Sequence, residues 1–167
     1  MIRIAKLPED RWETYRALRL EALDTDPAAF GSSYEEETRL PEDLWRERIN
    51  NVIFALSDER PVGMLSYVLS GRVKTRHVVN IYGVYVTPRY RGRGIGLMLM
   101  KRALSEIRKH RRIIKAQLSV NAHLRPAVEL YKAAGFEEVG RARNELKVGG
   151  RYYDMLLMEK NIRSVSG

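Results

Sequence analysis

The chain contains no cysteine. Disulfides, thiolate zinc sites and a cysteine nucleophile are therefore excluded. Histidine is scarce: His77, His110 and His123 are spread out and form no pair at metal-ligand spacing, so no metal is expected. Long apolar runs are missing as well. No stretch approaches the ~18 apolar residues that cross a bilayer, and Met1-Ile2-Arg3-Ile4-Ala5-Lys6 lacks the apolar core of a signal peptide. A cytoplasmic protein without a membrane partner is the expectation. Internal repeats, low-complexity tracts and Pro/Gly/Ser-rich linkers are also absent, and 167 residues suit a single domain, 1–167.

Positive charge is in excess, with a formal net charge of +9. Such a balance raises nucleic acid as a partner. Arg11, Arg16, Arg19, Arg46 and Arg48 alternate with acids on expected helix faces, which is the pattern of a solvated surface. No nucleic-acid partner is expected on that ground.

Ile2 to Lys6 alternates as a short strand, and Trp12, Tyr15, Leu18, Ala22 and Leu23 recur at helical steps until Asp26-Pro27. A loop from Ala28 to Arg39 carries Tyr34-Glu35-Glu36-Glu37, and a second helix starts near Pro41. Val52 to Ser57 and Val62 to Leu69 form a hairpin through residues 58–61, and His77 to Val86 is a longer strand stopped by Pro88. Ile95, Met98, Leu99, Ala103, Leu104 and Ile107 mark one stripe of a helix that runs to His110. A strand at Ile113 to Val120 and a helix at Arg125 to Ala134, closed by Gly135, come next. Two strands, Phe136 to Arg143 and Arg151 to Glu159, flank Gly149-Gly150. This alternation predicts a mixed sheet covered by helices.

The stretch from Val84 to Gly96, Val-Tyr-Val-Thr-Pro-Arg-Tyr-Arg-Gly-Arg-Gly-Ile-Gly, joins a strand to a helix through clustered glycines. The first amides of a helix have no partner inside it, and with the macrodipole they form a phosphate site. Glycine lets the backbone come close to such an anion. A P-loop would need Gly-Lys-Ser/Thr, which Gly94-Ile95-Gly96-Leu97 does not supply. A dinucleotide loop would need a third glycine where Leu97 stands, and an acidic residue beyond the next strand.

What fits is R-x-x-G-x-G, filled by Arg91, Gly94 and Gly96. At this point the chain resembles the GCN5-related N-acetyltransferases, the GNAT family. Asn121, Ala127, Leu130, Tyr131, Gly135 and Phe136 match a second block of that family, in the expected order. The resemblance implies an α/β (α+β) fold: a mixed, mostly antiparallel seven-stranded sheet flanked by four helices, ordered β-α-α-β-β-β-α-β-α-β-β. It also implies acetyl-CoA as co-substrate. The pyrophosphate would be held by the backbone of Arg91, Gly92, Arg93, Gly94, Ile95 and Gly96, and the pantetheine by Val84, Tyr85, Val86 and Asn121. Asn121, read as a residue, equally serves to shape a turn.

In the family the acceptor amine attacks the thioester directly, and Tyr131 would protonate the departing sulfur; read from spacing alone, Tyr131 packs beside Ala127 and Val128. Relatives often carry a glutamate base on the strand 77–86, which has no carboxylate here. Tyr34, Glu35 and Glu37 lie in the segment that covers the acceptor, so they are the substrate candidates, with His77 a further candidate base; each also reads as an ordinary surface residue. A small-molecule amine is the expected acceptor. A protein N-terminus or lysine, or coenzyme A binding without turnover, are the alternatives. Family members are often dimers, so a homodimer is carried as an option, although no residue marks an interface.

Overall fold

A computed structural model describes residues 1–165. Seven strands form one mixed sheet in the order β1-β2-β3-β4-β5-β7-β6. They are β1 (Ile2–Ala5), β2 (Val52–Ser57), β3 (Arg60–Leu69), β4 (Val78–Val86), β5 (Lys115–Asn121), β6 (Glu137–Val148) and β7 (Arg151–Asn161). The helices are α1 (Trp12–Thr25), α2 (Tyr34–Glu37), α3 (Glu42–Ile49), α4 (Ile95–Arg108) and α5 (Arg125–Ala133). The described residues pack as two compact units, Met1–Ser66 with Gly83–Arg102, and Tyr67–Tyr82 with 103–165.

In the first unit β1 pairs antiparallel with β2, and β2 with β3. The β2–β3 turn is tighter than the four residues expected. Asp58 and Glu59 both hold positive φ, 48° and 62°, as a two-residue hairpin turn requires, so Arg60 and Pro61 already belong to the strand. The core joins Tyr15, Leu18 and Leu23 of α1 to Trp45 and Ile49 of α3 and to Phe54, Leu56 and Met64 of the sheet. Tyr15 meets Trp45 and Phe54 edge to face, with centroids 5.4 and 6.0 Å apart. Such pairs add about 1 kcal/mol each beyond burial.

The expected loop at 28–39 is partly helical. Ser33 accepts from the Glu36 amide at 3.1 Å while the Glu36 carboxylate takes the Ser33 amide at 3.0 Å, a reciprocal cap that holds the single turn α2. The apolar stripe of α4 also differs by one residue. Met100 is buried, whereas Met98 is exposed, because it falls ~60° outside the arc from Ile95 to Leu104.

In the second unit β5 pairs antiparallel with β7 along its whole length, and β7 with β6. β4 pairs with β5 in parallel over three residues, Val78↔Lys115 to Asn80↔Gln117. β6 runs past the expected end at Arg143 because a bulge absorbs residues 143–145. Asp154 pins that bulge, accepting from Arg141 Nε at 2.8 Å and from the Asn144 amide at 2.9 Å. Asn144 sits at φ 48°.

Candidate acyl-donor and acceptor sites

β4 ends as the Thr87 amide donates to the Val62 carbonyl at 2.8 Å, and a 3-10 turn at Pro88–Tyr90 redirects the chain. Arg91 then ties the loop together. Its Nε donates to the Val86 carbonyl at 2.8 Å, its Nη2 meets Asp26 at 2.5 Å, and its guanidinium lies 5.6 Å from the Tyr85 ring centroid. Arg91 is thus paired with Asp26 at the end of α1, and the carbonyl of Val86, a residue expected to face the pantetheine, already accepts this arginine. Arg93 makes no ion pair among the described residues; it lies over Tyr90 at 5.1 Å.

Gly92 and Gly94 hold φ of 75° and 76°, the left-handed region that costs any other residue. A Cβ at either would meet nothing within 4 Å, so the requirement is the dihedral and not crowding. The first intrahelical bond of α4 runs from the Met98 amide to the Gly94 carbonyl at 3.0 Å. The amides of Ile95, Gly96 and Leu97 precede it and have no helical acceptor. The chain thus presents a row of N–H donors at the positive end of a fourteen-residue helix, with open space over both left-handed glycines. These features fit a diphosphate.

Tyr85 enters the site with its backbone only. Its side chain is buried, and its hydroxyl donates to Glu21 Oε2 at 2.9 Å, which also accepts from Thr87 Oγ1 at 3.1 Å. Burial, aided by the nearby Glu21 and Asp26 carboxylates and opposed by a Thr25 hydrogen bond, raises the phenol to about 12.

The acidic segment separates into three roles. Glu36 is occupied by the helix cap. Glu37 is only 3% exposed; Arg19 donates to both of its oxygens at 2.9 and 3.0 Å, and Arg48 to one at 3.3 Å. Burial would push this carboxyl up, but the Arg19 hydrogen bond, the charges of Arg19 and Arg48, and a Ser32 hydrogen bond outweigh it and hold it below 4.5. Glu37 is therefore not an available substrate carboxylate, as the sequence had suggested, but the anchor of α2. Tyr34 and Glu35 remain exposed on that turn. Arg19 packs its Nη1 against Gly83, 3.1 Å from where a Cβ would stand.

In the second unit Tyr131 is 8% exposed and meets Phe136 edge to face at 6.3 Å. Burial alone raises its hydroxyl well above the ordinary phenol range, so it stays protonated at any working pH. Asn121 is buried, and its carboxamide oxygen accepts from the His123 amide at 2.9 Å, a turn-shaping bond. Asn80 accepts from Gln117 at 2.8 Å, and His77 is exposed. Among the described residues no group of three or more His, Cys, Asp or Glu could hold a metal ion, and no helix is long and apolar enough to cross a membrane.

Glu21, Asp26, Arg19 and Arg48 went unnoticed as partners in the sequence. Their bonds span 11 to 66 positions, where periodicity carries no signal.

The model of the Acetyltransferase (GNAT) family matches residues 7–136. The L-amino acid N-acetyltransferase AaaT of Escherichia coli is 28% identical over 122 residues, 70% of this chain and 75% of that protein. An uncharacterized N-acetyltransferase of Methanocaldococcus jannaschii is 37% identical over 82 residues, 47% of this chain and 35% of its own. A GNAT-family acetyltransferase from Streptococcus pneumoniae superposes with a TM-score of 0.86 at 21% identity, over 98% of this chain and all of the other. The yncA protein of Salmonella typhimurium, solved with its cofactor acetyl-CoA, superposes at 0.83 and 16% identity, over 100% and 97%. These two share the fold. With the family match spanning most of the chain, this protein belongs to the GNAT family and is an acyltransferase.

Proposed function

We propose that this enzyme moves an acetyl group from acetyl-CoA directly to the amine of a small, amino-acid-like molecule, with both substrates bound together. The observation that carries the donor half is the left-handed Gly92/Gly94 pair ahead of the unpartnered amides of Ile95, Gly96 and Leu97. Those amides and Arg93 would hold the diphosphate, and the backbone of Val84 and Tyr85 the pantetheine amides. Acetyl-CoA supplies an acetyl group activated as a thioester. A β4 amide aimed at the thioester carbonyl would stabilise the developing oxyanion.

Tyr131 is assigned the proton that the leaving sulfur needs. A thiolate of pKa ~8.5 is a weaker base than a phenolate, so the hydroxyl would first donate a hydrogen bond to the departing sulfur and pass its proton on only as the proton lost by the amine replaces it. A small acceptor is favoured because a relative 28% identical is named for L-amino acids, and because Tyr34 and Glu35 are held on a turn too short to line a long peptide groove. Glu35 is the carboxylate left to attract the amine. An alkyl amine of pKa ~10.4 is mostly protonated at neutral pH, a handicap of about 4–5 kcal/mol, so turnover should climb with pH as the free amine becomes available.

Labelled acetyl-CoA incubated with amino acids, polyamines and short peptides at several pH values tests the reading. Transfer to free amino acids at millimolar concentration is expected. Tight acetyl-CoA binding with transfer to none of them, or transfer to peptides alone, would overturn it.

A further inference from the structure

Residues 72–77 and 108–115 carry eight Lys and Arg and no Asp or Glu. They precede β4 and β5, the parallel neighbours, so the two basic segments emerge from one end of the sheet. The Ile114 and Lys115 amides both donate to the His77 carbonyl, at 2.8 and 3.3 Å, fixing the segments side by side. Lys109 is paired with Glu106 and Lys115 with Glu159. Arg72, Lys74, Arg76, Arg108, Arg111 and Arg112 are all exposed and make no ion pair among the described residues.

A structural duty does not account for them. The C-terminal carbonyls of α4 attract cations, but Arg163 already serves that end: its guanidinium donates to the carbonyls of Arg108, His110 and Ile113. Six like charges on one rim repel one another, a cost to the fold that an anionic partner would relieve.

We propose that this rim is a docking surface for the phosphodiester backbone of a nucleic-acid duplex, separate from the acetyl-transfer chemistry. Five of the six cations are arginines, whose planar forks match phosphate oxygens in pairs. Neither segment contains Phe, Tyr or Trp, so no platform exists for stacking unpaired bases. The one protruding apolar side chain is Val73, too little to enter a bilayer interface. The arginines of the glycine loop are less suited to such a contact, since Arg91 is committed to Asp26.

The test is fluorescence anisotropy with a short labelled duplex, in DNA and RNA forms, across a salt series. With four to six phosphates neutralised, log K should fall against log salt with a slope of roughly −4 to −5. The combined variant Arg108→Gln, Arg111→Gln, Arg112→Gln should make that slope shallower by about 2–3, with acetyl transfer unchanged and thermal melting no lower than in the unaltered protein. A charge-matched control, Arg11→Gln, Arg60→Gln, Lys101→Gln, should bind as the unaltered protein does. Saturating acetyl-CoA should not displace either duplex. An equal loss in the control would make net charge the cause and sink the surface. Displacement by acetyl-CoA, or anionic vesicles binding through these arginines while duplexes do not, would overturn the assignment too.

Discussion

Glu35, Glu36 and Glu37 are consecutive and chemically alike, yet the fold gives each a different task, and single substitutions should separate them. Glu37→Ala removes one side of a buried ion pair and strands Arg19, whose side chain is 13% exposed. Breaking such a pair costs about 3–5 kcal/mol, which urea unfolding would register. Glu35→Gln, on an exposed carboxylate, should leave stability within about 0.5 kcal/mol while raising the acceptor KM. No change in acceptor KM would remove Glu35 from the site. Tyr131→Phe is expected to lower kcat about a hundredfold or more if the hydroxyl delivers the proton, with little change in acetyl-CoA affinity. An unaltered kcat would leave Tyr131 as packing against Phe136.

Among the elements, the strand-to-helix loop is the one whose sequence and geometry speak together. Gly94→Val must force a branched residue to φ near 76°, a strain of about 1–3 kcal/mol. Coenzyme A affinity measured by calorimetry should drop about tenfold or more, and an unchanged affinity would dissociate the left-handed turn from phosphate binding. Arg91→Lys keeps the charge but cannot reach the Val86 carbonyl and Asp26 in one planar fork. It should weaken coenzyme A binding nearly as much as Arg91→Met; full rescue by lysine would mean charge alone matters. The glycines of this loop were legible because positive φ leaves a mark on residue choice. Ser33 and Glu36 also spell a cap, but the turn they start carries too few apolar residues to announce itself. The bulge at 143–145 was hidden because Asp154, which pins it, lies ten residues away on the other strand.

For the molecule as a whole, the succession of strands and helices along the chain followed from periodicity, since each element buries one face, whereas the mostly antiparallel seven-stranded sheet was implied by the family resemblance. The polar interior followed from neither, because ion pairs such as Arg19–Glu37 join distant positions. That interior sets the acid response. Glu37 has a folded value below 4.5, so the native state binds its proton less readily than the unfolded chain does. Its stabilisation is complete above about 4.5 and disappears as pH falls through the folded value. Glu37→Gln should flatten this part of the acid limb in pH-dependent urea unfolding; an identical limb would show that other carboxylates govern it.

Arg91 binds the glycine loop to the residue that caps the end of α1 and to the face of a buried tyrosine. Anyone transplanting this loop into another scaffold would find that the short glycine-arginine string is not a portable cassette. Asp26, Tyr85 and the end of strand β4 have to travel with it, or the graft arrives without its fastening.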